Sequence, residues 1–314
     1  MKPCLSRRGM TFMVDPFTNP LPKSAYLRLL KHQQKTNLNA YAPDPPLILF
    51  IFFSRVGAGL ALVSPFFRES ILWLAISLGC MILATLASIA HLSVPQRFLT
   101  MIRNNRSYLV WEIRLAGALT ACLGLQFLSL LGWFHGYRST FPWINLALSV
   151  LFLLSTGWAY RFDTHPAWKT SFLPLYYLAS GVSVALAIRS IQSPSSLIPF
   201  LFGGLLLAKG FLLALYRNHL KMASPTSLKK IVLDREKWVF LAFLWTDLLL
   251  PGLLTLALFI QGDFILLHCL FATSCLVGIF LERILFFWVE RPIYFLSFIE
   301  NPELNSKYPY WIRG

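Results

Sequence analysis

The chain has 314 residues, 56% of them hydrophobic and only 13% charged, with a mean hydropathy of +0.61; these values exclude a soluble globular domain and call for a bilayer. Lys and Arg outnumber Asp and Glu 28 to 13, yet the excess lies in the connections between apolar runs and not on one basic surface, so nucleic acid is not the expected partner. Five cysteines, Cys4, Cys80, Cys122, Cys269 and Cys275, show no CxxC spacing and read as packing residues rather than zinc or iron–sulfur ligands.

Residues 1–45 form an extramembrane segment. Arg7 and Arg8 stand together as in a twin-arginine signal, but no apolar run follows before Asp15 and Pro16, so the segment is expected to be retained. Within it "SAYLRLLKHQQK" sets Tyr26, Leu27, Leu29 and Leu30 among basic residues, the pattern either of a short amphipathic helix on a membrane or partner surface or of a solvated tail. A helix needs about 20 apolar residues to cross the hydrocarbon. Windows that supply them run Pro46 to Phe66, Ile71 to His91, Tyr108 to Leu131, Phe141 to Tyr160, Ser171 to Ile191, Leu197 to Tyr216, Trp238 to Ile260 and Phe264 to Trp288. The expected fold is an all-α integral membrane protein: a polytopic bundle of eight transmembrane helices over residues 46–288, followed by an extramembrane tail at 289–314. The links "RES" and "IQGD" are so short that the first and last helix pairs must be tight antiparallel hairpins.

Orientation follows from the basic residues outside the spans. The face bearing both termini and the second, fourth and sixth connections collects 21 of them, against Arg68, Arg138 and Arg189 on the other face. Both termini are therefore expected in the cytoplasm.

Charges inside a bilayer cost several kcal/mol unless paired, so each is a functional candidate. Arg55, His91, Glu112, Arg114, Lys209, Asp247, Glu282 and Arg283 all fall in the half of the bilayer next to the termini. Lys209 and Arg114 have stems long enough to snorkel to the headgroups. The carboxylates do not, so Glu112, Asp247 and Glu282 are expected to face the bundle interior, with Asp247 and Arg55 as a structural ion pair. Glu282 and Arg283 are adjacent and point about 100° apart, so at most one of them is expected at any one site.

Three stretches carry a resemblance. "HLSVPQR" followed by "NNRSYLVWE" resembles the region between the second and third helices of the membrane anchor subunits of dimethyl sulfoxide reductase type molybdoenzymes. "DTHPAWKTSFLP", Asp163 to Pro174, is similar to that family's connection before the fifth helix, and "ERILFF", Glu282 to Phe287, to its Arg-x-x-Phe near the end of the eighth. Ser93 departs from the family's Gly, and Ile279 stands where the family has an acid, with Glu282 nearby. The resemblance implies a haem-free anchor subunit in a bacterial cytoplasmic membrane that oxidises menaquinol. Electrons then pass to a docked iron–sulfur subunit and on to a molybdopterin subunit, which hold all the metal cofactors. It also implies that His91, Arg97 and Glu112 border the quinol site, joined by Arg283.

The residue chemistry suits that role. Quinol oxidation releases two protons with two electrons, so a site needs an acceptor for each hydroxyl and a base. His91 and Glu112, at the two ends of one connection, fit as proton acceptors, and Arg97 as a group that orients the ring or, alternatively, binds lipid phosphate. His32, His135, His165 and His219 are placed in loops or tails, and His91 and His268 at opposite faces, so no bis-histidine haem site is expected. A secondary transporter with Asp247, Arg55 and Lys209 along a path is the alternative, set against the lack of polar residues in the outer half and of paired Gly/Pro breaks at mid-depth. A structural anchor without ligand would need the basic face but neither His91 nor Glu112.

Overall fold

The computed structural model describes residues 45–67, 70–91, 108–133, 135–137, 139–160, 169–192, 197–223, 237–261 and 264–289. The N-terminal segment with its Tyr26–Leu30 stretch, the connection carrying Arg97 and the C-terminal tail lie outside the described residues, as does the side chain of His91.

The described residues are helical. The first helix, α1, is Pro45–Val63, with a 3₁₀ turn at Ser64–Phe66; α2 is Ile71–His91, α3 Tyr108–Leu130, α4 Phe141–Ala159, α5 Phe172–Gln192 and α6 Leu197–Ala223. The seventh, α7, runs as Lys237–Leu244 and Leu250–Gln261 on either side of a π turn, Trp245–Leu249, and α8 is Ile265–Val289. All 8 are long and apolar enough to span a membrane, so the chain is a multi-pass membrane bundle. Proline marks the starts of α1, α4, α5 and α6, where its missing N–H costs nothing.

Two helices form the centre. About three-quarters of the apolar window is buried in α1 (78%) and α5 (72%), against 22% in α2 and α6. Parallel helices α1 and α5 touch backbone to backbone: a Cβ on Gly59 would overlap the Gly181 carbonyl, and only glycine permits that approach. Around them α2 packs on α1, α4 on both, α6 on α5 and α8 on both. The outer helices turn Leu72, Leu86, Phe200, Leu207, Phe259 and Ile260 outward, an arrangement that is stable only against lipid. Exposed Trp133, Tyr137 and Trp143 at one end and Trp111, Trp158 and Trp238 at the other mark the two interfaces.

Two features differ from expectation. Helix α6 continues past Tyr216 to Ala223, because Leu220 returns to the buried face one turn later and no Pro or Gly intervenes. His219, expected in a loop, is therefore helical and stacks on Tyr216 at 6.5 Å. In α7 the N–H of Leu250 bonds to the carbonyl of Trp245, five residues back. Pro251 explains the break: it has no N–H for the Asp247 carbonyl, so the ladder must rearrange before it. The hydroxyl of Ser274 donates to the Thr246 carbonyl at 2.7 Å. Gly278 lets α8 close on the turn, since a Cβ there would lie 2.7 Å from Asp247 Cα.

Candidate functional site

Five helices converge on one buried cluster. Arg55, near mid-height on α1, donates from Nη1 to Glu282 Oε2 of α8 at 2.6 Å. Arg283 donates from Nη2 to Glu282 Oε1 and from Nη1 to the hydroxyl of Tyr177 on α5. Both guanidinium carbons lie over the Tyr177 ring, 3.8 Å from its centre for Arg55 and 4.1 Å for Arg283, so the ring acts as a second partner for both cations. Both arginines are fully buried. Tyr160, at the end of α4, stacks on Tyr177 with centroids 6.3 Å apart.

Glu112 completes the group from α3. It is fully buried and within electrostatic reach of Tyr160 and Tyr177. Among the described residues its one polar neighbour within hydrogen-bonding reach is the Thr156 hydroxyl, which is turned chiefly to the Phe152 carbonyl at 3.1 Å. Helix α3 packs beside α2, whose last residue is His91, so the Glu112 turn and the His91 backbone share one end of the bundle.

A second buried pair lies on the other side of α5. Lys209 Nζ reaches Asp247 Oδ2 at 2.6 Å and Oδ1 at 2.7 Å, and the Tyr176 hydroxyl donates to Asp247 Oδ2 at 3.2 Å. The adjacent tyrosines 176 and 177 thus serve the two charge groups separately.

Three expectations are corrected here. Asp247 pairs with Lys209, not Arg55, because the π turn aims it at α6 while Arg55 faces α8. Lys209 does not snorkel: it is 1% exposed and held by Asp247. Glu282 and Arg283 both belong to one site, since their long side chains curl across the angle that separates their Cα–Cβ bonds. Arg114 is half-buried, with its guanidinium 5.6 Å from the Trp111 ring centre, and Arg189, counted outside the spans, is a buried residue of α5 that donates to Gln192. Sequence reading missed Tyr160, Tyr176 and Tyr177; the only signal was a tyrosine pair one turn into the helix after the Asp163–Pro174 connection.

Beside the cluster a cavity of about 540 Å³ opens between α6 and the first half of α7, walled by α5 and α8. Phe172, Tyr176, Tyr216, Phe240, Phe243 and Phe286 are its aromatic lining residues, Glu282 and Tyr176 the polar residues of the inner wall, and Arg217 and Asn218 line it near the end of α6. The volume lies within the usual range for small-molecule sites.

No known protein family matches this chain, and no curated protein matches it.

The Lys209–Asp247 pair gives a direct test of what these charges do for stability. Lys209→Met should lower unfolding stability by about 3–5 kcal/mol by stranding Asp247, while Lys209→Met with Asp247→Leu should recover most of it. Thermal unfolding of the purified protein in detergent measures both; equal losses in the two variants would mean that the pair is not a closed unit.

Proposed function

We propose that this chain is the quinol-oxidising membrane anchor subunit of an iron–sulfur molybdoenzyme complex. The observation that carries this reading is Glu112. Ion pairing accounts for Glu282 and Asp247, whereas Glu112 is buried with no cationic partner among the described residues and only the Thr156 hydroxyl within reach. Such a carboxyl fastens no ion pair between the described helices, and is suited to exchange a proton with a ligand. His91, at the end of the neighbouring helix, is the second acceptor, Arg97 the group that holds the ring, and Arg283, fixed by Glu282 and Tyr177, sets the electrostatics on the inner side. Each hydroxyl proton passes to one of these acceptors as two electrons leave for the partner's iron–sulfur subunit. The anchor's own residues bind, orient and accept protons; the metal centres stay in the partners.

Purification with associated subunits tests the reading. The complex should reduce its terminal substrate with a short-chain menaquinol analogue and also with a soluble artificial donor. Isolation of the chain without an iron–sulfur subunit, together with no quinol binding, would overturn it. The excess of basic residues on the face bearing both termini favours a cytoplasmic partner, so alkaline phosphatase fused after Lys307 should remain inactive; an active fusion would put the partner on the outer face.

The π turn favours a second reading, a secondary transporter, since helix breaks beside buried charge pairs occur in such proteins. The Lys209→Met, Asp247→Leu variant separates the two: a transporter should lose its activity, a quinol oxidase should keep it.

A further inference from the structure

Glu282 lines the cavity between α6 and α7, and the chemistry of the cavity wall selects what can occupy it. Glu282 receives Arg55 on one oxygen and Arg283 on the other, and each oxygen retains a lone pair. Tyr176 gives its proton to Asp247, so its oxygen too is left as an acceptor. The polar atoms of the inner wall therefore ask for a donor. An anionic headgroup would find no donor on that inner wall, because Arg55 and Arg283 turn their N–H groups to Glu282 and Tyr177 and do not line the cavity. An acyl chain would leave these acceptors facing hydrocarbon. A cation would be repelled, because two guanidinium groups and one carboxylate leave the cluster with a net positive charge. What remains is a neutral hydroxyl. The aromatic side chains of the wall suit a flat ring attached to it, and Arg217 and Asn218, both exposed on α6, offer donors to an oxygen on the far side of that ring. The volume of about 540 Å³ leaves room for part of an apolar tail.

We propose that this cavity, lined by Tyr176 and Glu282 and not by Glu112, is a second quinol position, in which one ring hydroxyl donates to Glu282. It rests on the quinol reading above but names a different place and different residues. The site holds the quinol in its reduced form, because an oxidised ring has only acceptors to set against Glu282 and Tyr176.

Gly210 provides the test. It lines the cavity, and a Cβ there would meet nothing within 4 Å, so Gly210→Leu takes up space in the cavity with no clash where its side chain leaves the backbone. The assembled complex, labelled with a photoreactive menaquinol analogue, should be modified on the α6 and α7 segments. Gly210→Leu should remove that label and raise the apparent KM for the analogue about tenfold, the loss of roughly one hydrogen bond and its ring contact. Glu112→Gln should keep the α6–α7 label while losing turnover. Label confined to the α2–α3 segments, or unchanged in Gly210→Leu, overturns the second position and leaves the function standing. No specific label anywhere and no quinol-dependent turnover overturns both.

Discussion

Glu282→Gln should lower stability more than any other single substitution at the site. Arg55 and Arg283 are both fully buried, and Glu282 is the one carboxylate bonded to either among the described residues. Removing one partner of a buried pair costs about 3–5 kcal/mol, and here two cations lose their partner at once, so the upper end of that range is expected. Arg55→Met should be milder, because Glu282 then keeps Arg283. Thermal unfolding in detergent and the yield of folded protein are the readouts. A Glu282→Gln protein as stable as the parent would mean that water, and not the carboxylate, carries these guanidinium groups.

Glu112→Gln is expected to do the reverse, with little change in stability and a large loss of turnover. Among the described residues its carboxyl has no ion pair to lose, Gln can keep the contact with the Thr156 hydroxyl, and the volume is preserved. If it accepts a quinol proton, turnover with quinol should fall by roughly 100-fold or more, the ordinary contribution of a positioned base, while the rate with a soluble donor stays at the parent level. Full quinol-dependent activity in this variant would reduce Glu112 to a packing residue. The opposite responses of Glu112 and Glu282 would separate proton chemistry from helix fastening within one buried cluster.

The spans were legible because each is a long apolar run whose ends are set by Pro, Gly or charge, and the burial of Glu112, Asp247 and Glu282 followed from their short stems. The partners were not legible. Arg55 and Glu282 lie 227 residues apart, and nothing in spacing along a chain says which helices become neighbours. The Gly59–Gly181 contact decides that, by bringing α1 against α5 and leaving α8 to close over both. Angular reasoning about Glu282 and Arg283 failed for a related reason: it described where the side chains start, whereas their length decides where they end. The π turn had a signal in Pro251, four residues after Asp247, but the aim of Asp247 depends on how α7 packs against α6 and α8, which the sequence does not state.

The long separation between Arg55 and Glu282 has a consequence for biosynthesis. Arg55 enters the membrane in the first helix and meets its carboxylate only when the last one is made. At about 5–20 residues per second, the 227 intervening residues take on the order of 10–45 s. During that interval a cation near the middle of α1 costs a few kcal/mol in lipid, so the nascent helix must stay beside the insertion machinery or in contact with water. Chains that stop before α8 never acquire the carboxylate, and membrane quality control should clear them even though they contain seven of the eight spans.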